Sequence, residues 1–286
     1  MKLLSAASKA AFSSGKGVSK YFYPAETSRH AATILGFPSK CSTPPQYYEN
    51  ACGDIANLAS AISAFEPVRL YTRPEDIPKS QPIVSQALTK YPSKASNISI
   101  IPFPINHLWV RDTGPVYVHG MDKSDIPHRF AINFRFNEWG KKDKLNYLLP
   151  SMKPDNLQEN ASFAQRVIES DVSPYPVTSV ESKICLEGGA LVVDGEGTLL
   201  ATESSIINEN RNPGLSQATI EAELQRLLGV EEIIWFPGRK DLDITDVHAD
   251  AEVNFVRPGV VVLSRPHPSA SEPWKEVYGE IWEILN

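Results

Sequence analysis

From about Tyr21 to the last residue, apolar segments of strand length alternate with amphipathic segments of helix length, and this rhythm constrains the fold more than any other feature. Strands that alternate with helices in a continuous order are typical of α/β proteins. No apolar run approaches the roughly 20 residues that a membrane-spanning helix needs, which argues against a transmembrane protein. Because no low-complexity linker interrupts the alternation, we predict one α/β domain over residues 21–286, preceded by a disordered tail over residues 1–20.

Local signals predict the individual elements. Pro213–Gly229 is predicted as a helix because Ser216 is a suitable N-cap, an apolar stripe follows it, and Gly229 is a typical helix stop. Further helices are predicted over Ala51–Ala64 and Trp274–Leu285, and the polar stretch Gly140–Gln158 as a surface loop or short helix. Strands are predicted over Val68–Tyr71, Ile98–Phe103, Val116–Val118, Phe130–Phe136, Ile184–Val193, Glu231–Phe236 and Gly259–Ser264.

The charge balance and the cysteine content indicate which partners and which cellular compartment are expected for this chain. The chain has 28 Lys and Arg against 34 Asp and Glu, a formal net charge of −6, which argues against nucleic-acid and anionic-membrane partners. The three cysteines, Cys41, Cys52 and Cys185, show no CxxC spacing and no even disulfide set. A reducing compartment, the cytoplasm, is therefore expected. The first 20 residues lack the apolar stretch or the several arginines of a targeting segment.

Three short segments carry the residue types that do chemistry. In the first, Trp109 lies close to Asp112, and an aromatic face with a carboxylate is suited to holding a flat cation. In the second, Glu187 lies within an apolar run and is followed by two glycines. A carboxylate there is costly to bury unless it is paired or functional; the alternative is that Glu187 points to solvent.

The third segment contains His248 and Asp250. Residues two apart on an extended segment point the same way, so these two side chains are predicted to form an acid–base pair. Acidic residues around a histidine also resemble metal ligands. Asp243, Asp246, His248 and Asp250 together are therefore an alternative divalent-cation site.

The three segments occur in an order that resembles the agmatine deiminases and the related bacterial-type peptidyl-arginine deiminases of the pentein superfamily. Each motif is weak alone, but the ordered set is specific and spans nearly all of the chain from about Tyr21. The motifs are YPAE (23–26) with His30, WVRDTGP (109–115), NFRFNEWG (133–140), EGG (187–189), ATESSIINENRNPG (201–214) and DITDVHAD (243–250).

The resemblance implies a pentein-type α/β propeller, a fan of pseudo-repeated ββαβ units around an acid-lined centre, here expected to be incomplete at its C-terminal end. It implies hydrolysis of agmatine to N-carbamoylputrescine and ammonia, within putrescine biosynthesis, without metal or cofactor. By motif, Asp112 and Asp250 would bind the guanidinium and Trp109 would wall the site. His248 would protonate the departing amine and then activate water, while Glu187 orients and polarises.

The chain departs from the family pattern in two places. Such deiminases attack the guanidino carbon with a cysteine thiolate in a Gly-rich segment near their C-terminus, and none of the three cysteines matches that position. Cys185, predicted to share one strand face with Glu187, is interpreted as a buried structural thiol. Val247 stands where relatives usually carry Gly, so a different local backbone is expected.

Four alternatives for function stay open at this point. Turnover of agmatine is the leading hypothesis, and deimination of peptidyl or free arginine is its nearest relative. The missing thiol favours a guanidinium-binding protein without turnover. The spacing of His248 and Asp250 also resembles part of the metal-dependent ureohydrolase pattern. An incomplete fan would expose strand edges and apolar faces, which predicts poor solubility or assembly into a homo-oligomer.

Overall fold

A computed structural model describes residues 21–90, 97–121, 127–141, 153–171 and 177–286. The tail predicted over residues 1–20, and residues 142–152 of the predicted polar loop, lie outside the described residues. The chain divides into two compact units. The small unit consists of the described parts of residues 29–114 and 141–163, and the large unit of those of residues 1–28, 115–140 and 164–286. The assignment of residues 21–286 to one domain remains a prediction.

The strands, in chain order, are β1 Tyr21–Phe22, β2 Thr33–Gly36, β3 Val68–Thr72, β4 Ile98–Pro102, β5 Val116–Met121, β6 Pro127–Asn133, β7 Val177–Glu181, β8 Val192–Val193, β9 Thr198–Thr202, β10 Glu232–Phe236, β11 Val253–Arg257 and β12 Val260–Leu263. The helices of four or more residues cover Pro45–Ser63, Ile77–Lys90, Val110–Thr113, Pro154–Glu169, Glu203–Ile206, Gln217–Leu228, Ala249–Glu252 and Glu272–Leu285. Glu138–Lys141 forms a turn with left-handed backbone.

The small unit is a parallel three-stranded sheet in the order β2–β3–β4. The helices Pro45–Ser63 and Ile77–Lys90 connect successive strands, as parallel strands require. Leu70, on the central strand, is fully buried against these helices in one apolar cluster. The predicted helix over Ala51–Ala64 is confirmed, but it begins earlier, at Pro45, where proline suits the first helical turn. The helix with Pro82 inside it was not predicted.

The large unit contains three sheets, of order β1–β5–β6–β7, β10–β9–β8 and β11–β12. In the first, β5 pairs antiparallel with β6, and β6 pairs parallel with β7 after the helix Pro154–Glu169. In the second, β8 pairs antiparallel with β9, and β9 pairs parallel with β10 after the helix Gln217–Leu228. Both sets have the ββαβ order that the resemblance implies. The antiparallel pair β11–β12 followed by the helix Glu272–Leu285 repeats its first three elements.

The helix Gln217–Leu228 confirms the predicted capping signals. The Ser216 hydroxyl accepts a hydrogen bond from the Thr219 N–H at 3.2 Å, and Gly229 ends the helix in a left-handed conformation with φ 70°. Its apolar stripe, with Leu224 at its centre, is fully buried in the core of the large unit. Local capping and burial therefore explain both the position and the limits of this helix.

The strand predicted over Ile184–Val193 is wrong for most of its length, because only Val192–Val193 is a strand. The backbone of Cys185 is bonded to a side chain instead of a neighbouring strand. Its N–H donates to Asn212 Oδ1 and its carbonyl accepts from Asn212 Nδ2, each at 2.8 Å. The predicted strand Phe130–Phe136 likewise ends early, at Asn133, since Arg135 has φ 57°.

None of the helices in the described part of the chain combines the length and apolar character that crossing a bilayer requires.

Candidate active site

Glu187 is a fully buried carboxylate at the centre of a polar network in the large unit. It is extended (φ −114°, ψ 150°) and directly precedes a short 3₁₀ turn, Gly188–Ala190. Its Oε1 accepts from Arg211 Nε at 3.1 Å, and its Oε2 lies 3.1 Å from His248 Nε2. Of the two alternatives left open for Glu187, the structure has the buried and paired carboxylate, and the alternative that it points to solvent is wrong. The pairing satisfies the requirement that a buried charge be compensated.

Arg211 is the cation that offsets the desolvation cost of burying Glu187. The Arg211 side chain is itself inaccessible to solvent. Besides Glu187, its Nη1 donates to Asp246 Oδ2 at 2.6 Å and to Asn210 Oδ1 at 3.0 Å. Its Nη2 donates to the carbonyl of Thr245 at 3.2 Å. One guanidinium therefore donates hydrogen bonds to two buried carboxylates and to a backbone carbonyl, which uses the planar donor geometry of arginine.

Asp243 and Asp246 fold the loop that precedes His248. Asp243 Oδ1 accepts from the Thr245 N–H and hydroxyl and from the Val247 N–H, at 2.8–3.0 Å. The Thr245 hydroxyl in turn accepts from the His248 N–H at 3.1 Å. These local bonds fix the backbone on which the His248 ring is mounted.

The hypothesis that Asp243, Asp246, His248 and Asp250 hold a divalent cation is contradicted. Asp243 is bonded to N–H and O–H donors, and Asp246 is paired with Arg211. Oxygen atoms that accept from N–H groups are not aimed at a shared cation. Across the described residues, no group of three or more His, Cys, Asp or Glu side chains is arranged to hold a metal ion.

His248 and Asp250 do not lie on an extended segment, so the prediction that they point the same way is wrong. The helix Ala249–Glu252 begins immediately after His248. With 3.6 residues per helical turn, side chains two apart diverge. His248 is buried, with 3% of its surface exposed, whereas Asp250 is exposed. The histidine is paired with Glu187, from a distant part of the sequence.

Val247 has a left-handed backbone with φ 68°, a conformation that favours glycine and is unfavourable for a β-branched residue. Its N–H is bonded to Asp243, its carbonyl accepts from the Thr202 hydroxyl at 2.6 Å, and its side chain is buried in an apolar cluster. The surrounding bonds thus hold valine where the resemblance leads one to expect glycine. At this position backbone strain lowers the stability of the folded state, whereas burial of the valine side chain raises it.

We expect Val247→Gly to lower the free energy of unfolding by no more than about 2 kcal/mol. Release of backbone strain contributes ~1–3 kcal/mol, which offsets ~2 kcal/mol of lost burial and ~0.5–1 kcal/mol of glycine entropy. Val253→Gly is the matched control, since Val253 is equally buried in the same cluster but has φ −144°. Val253 has no backbone strain to release, so the free energy of unfolding of Val253→Gly should fall by about 3 kcal/mol. Urea unfolding of both variants measures the difference; equal losses would show that Val247 is unstrained.

Trp109 and Asp112 belong to the small unit. Trp109 has 59% of its surface exposed and directly precedes the four-residue helix Val110–Thr113. Asp112 is partly buried in that helix, and its N–H donates to the Trp109 carbonyl at 3.1 Å. The indole is thus accessible to a ligand, and the carboxylate lies one helical turn from it. The guanidinium-binding role of both residues remains a prediction.

Cys185 lines a cavity of about 430 Å³, together with Arg135, Lys183 and Arg211 among others. Its thiol donates to the Arg135 carbonyl at 3.2 Å. The prediction that Cys185 and Glu187 share one face of a strand is wrong, since no strand covers residues 182–187 and the two side chains have different partners. The interpretation of Cys185 as a buried thiol is confirmed.

Sequence reasoning selected Glu187 and His248 but missed Arg211. Arg211 lies in the 201–214 motif, which entered the interpretation only through the resemblance. A signal was present: a carboxylate in an apolar segment needs a cation from elsewhere in the chain. Nothing in the sequence, however, says which arginine supplies it.

The family of Porphyromonas-type peptidyl-arginine deiminases matches residues 22–286, almost all of the described chain. The chain belongs to this family. Its fold is accordingly the pentein-type α/β fold, in agreement with the ββαβ order of the large unit.

Individual members of the family are similar over most of this chain. The agmatine deiminases of Stutzerimonas stutzeri and Medicago truncatula are each 34% identical, over 247 and 249 residues, and the matches cover 85% of this chain. The solved agmatine deiminase of Enterococcus faecalis superimposes with a TM-score of 0.74 at 25% identity, covering 93% of this chain and 66% of that one. The chain spans about 60% of the length of these curated relatives.

Proposed function

We propose that the chain carries the acid–base part of an agmatine deiminase-type hydrolase, which converts agmatine and water into N-carbamoylputrescine and ammonia. The observation that carries the proposal is the buried contact of 3.1 Å between Glu187 Oε2 and His248 Nε2. The similarity to proteins named agmatine deiminase supports the choice of substrate.

The reaction needs a proton donor because the amino group is a poor leaving group and departs from the guanidino carbon as ammonia only after it gains a proton. His248 would donate that proton and then remove one from the attacking water. Glu187, bonded to the ring nitrogen Nε2, would orient the imidazole and stabilise its protonated form. Overall, one C–N bond breaks, one C–O bond forms with oxygen from water, and ammonia departs.

Guanidinium binding would be the work of carboxylates, with Asp250 as the clearest candidate. Asp250 is exposed and lies two residues after His248. Asp112 and Trp109, in the small unit, are proposed as guanidinium-binding residues on the basis of the motif. A carboxylate beside an exposed indole can hold a flat cation by hydrogen bonds and stacking.

A second candidate, guanidinium binding without turnover, is favoured by the state of the thiols. A thiolate is a stronger nucleophile than water towards the weakly electrophilic guanidino carbon, but burial raises the pKa of both Cys41 and Cys52. Cys185 is buried and bonded to a carbonyl. These three thiols are thus poor nucleophiles, whereas the carboxylates would still bind the cation.

Calorimetry with agmatine, combined with an ammonia assay, separates the candidates. Binding with ammonia release supports the deiminase, binding without release supports the second candidate, and no binding contradicts both. Free arginine and a blocked arginine peptide are assayed in parallel, and equal rates on the peptide would contradict the preference for agmatine.

We expect Asp250→Asn to weaken agmatine binding about tenfold or more, because it removes one charge-assisted hydrogen bond worth roughly 1.5–3 kcal/mol. The control is Asp54→Asn, a change of the same chemistry on an exposed position of the helix Pro45–Ser63. Equal affinity in the Asp250 and Asp54 variants would remove Asp250 from the binding site.

The cytoplasm is the proposed compartment. All three cysteines are free thiols, as a reducing environment would keep them. Small guanidinium compounds are the proposed partners, and assembly into a homo-oligomer stays a prediction.

A further inference from the structure

Arg211 connects the two halves of the acid–base pair. Glu187 and His248 are 61 positions apart in the chain, and each belongs to a different local segment. Arg211 contacts Glu187 directly and reaches the loop before His248 through Asp246 and the Thr245 carbonyl. Because Thr245 also accepts from the His248 N–H, the chain of bonds runs unbroken from the carboxylate to the backbone of the histidine.

Arg211 places a positive charge between the two buried carboxylates of this network. Glu187 and Asp246 would otherwise be two buried carboxylates facing a common volume, each repelling the other. The guanidinium lies between them, with its Nε and Nη2 edge on Glu187 and its Nη1 on Asp246. A lysine has a single ammonium group and no planar fork, so it could not hold both carboxylates in this geometry.

We propose that Arg211 is a positioning residue for the Glu187–His248 pair, an internal guanidinium that sets where the imidazole lies and which carboxylate oxygen it meets. The proposal deepens the proposed function, on which it rests for its catalytic meaning. Its structural content is independent: loss of the guanidinium should displace the His248 ring even if the chain turns nothing over.

Chemical rescue tests this directly. Arg211→Ala leaves a hole of guanidinium shape lined by Glu187, Asp246 and the Thr245 carbonyl. We expect the His248 imidazole resonances, assigned by their loss in His248→Gln, to shift and broaden in this variant. Millimolar guanidinium chloride, far below denaturing concentrations, should restore them, whereas ammonium chloride should not. A general loss of stability would not respond to the shape of the added cation.

Arg226→Ala is the matched control, because Arg226 is also bonded to a buried glutamate, Glu223, but is partly exposed and donates to the Glu181 carbonyl instead of to the loop before His248. It should leave the His248 resonances unchanged. Unperturbed His248 resonances in Arg211→Ala, or equal rescue by ammonium, would overturn the proposal.

Arg211→Lys covers the case in which the alanine variant does not fold. It keeps the positive charge, so we expect a folded protein with displaced His248 resonances; wild-type resonances in this variant would overturn the proposal. Agmatine binding is measured separately by calorimetry. Failure of agmatine binding with displaced His248 resonances would count against the proposed function alone.

Discussion

Replacing Glu187 with alanine is expected to lower the free energy of unfolding by about 3–5 kcal/mol, the usual cost of removing one partner from a fully buried ion pair. Both Glu187 and Arg211 are inaccessible to solvent. Without the carboxylate, the Arg211 Nε and the His248 Nε2 each lose the partner that the structure gives them. Urea unfolding followed by fluorescence measures the loss.

Glu223→Ala is the control that shows how much of the loss depends on burial of the arginine partner, because it removes a carboxylate from an ion pair whose arginine is exposed. Glu223 is buried and bonded to both Arg226 Nε and Nη2 at 2.7 Å, but the Arg226 side chain is 43% exposed. After truncation, water can solvate Arg226, so the expected loss is only about 1 kcal/mol. Equal losses in the two variants would contradict the view that Arg211 depends on Glu187 for its burial.

The contribution of Glu223 to stability depends on pH. Burial alone would raise the pKa of Glu223, but hydrogen bonds from Arg226 and from the Lys183 N–H outweigh it, so the pKa is lowered. A carboxylate with a lowered pKa in the folded state contributes stability above its unfolded pKa. That contribution is lost as the pH falls through the folded value. The stability difference between wild type and Glu223→Ala should therefore shrink when the pH is lowered from neutrality into the acid range.

Glu187→Gln tests the proposed catalytic role with little change of shape. The neutral amide can still contact Arg211 and His248, but it cannot stabilise the imidazolium by charge. If the chain turns over agmatine, we expect the rate to fall by about 10²-fold or more, in line with general acid–base contributions. Agmatine affinity should change much less, because the binding role is assigned to other carboxylates. A large loss of affinity with unchanged turnover would reverse these assignments.

Elements whose ends are determined by neighbouring residues could be predicted from the sequence. Ser216 and Gly229 mark the ends of one helix because capping depends on neighbouring residues, and the structure has both caps. The apolar run at Ile184–Val193 misled, because an apolar run alone does not distinguish a strand from a buried irregular segment. There, the side chain of Asn212 takes the place of a strand neighbour. That bond joins positions 27 apart, and no local pattern predicts it.

The candidate site was predictable in part for the same reason. Glu187 could be selected because a carboxylate in apolar surroundings needs an explanation, and His248 because a histidine among acids suggests proton transfer. Their actual partners were not predictable from spacing. Arg211 reaches Glu187 across 24 positions and Asp246 across 35, so the tertiary fold alone decides which charges meet.

The second large effect is expected at Gly229, where the end of a helix meets the first strand. Gly229 has φ 70°, and a Cβ added there would lie 1.9 Å from the carbonyl oxygen of Tyr21. The chain is tied at the same place by the Tyr23 N–H, which donates to the Leu228 carbonyl at 2.9 Å. Because the obstacle is backbone, it cannot rotate away as a flexible side chain would.

We therefore expect Gly229→Ala to lose about 2–4 kcal/mol of stability, of which ~1 kcal/mol comes from the left-handed backbone and the rest from overpacking against β1. Gly214→Ala isolates the first contribution, since Gly214 also has φ 70° but no atom within 4 Å of the added Cβ. It should lose only about 1 kcal/mol. If the two variants unfold at the same urea concentration, the contact with Tyr21 carries no cost.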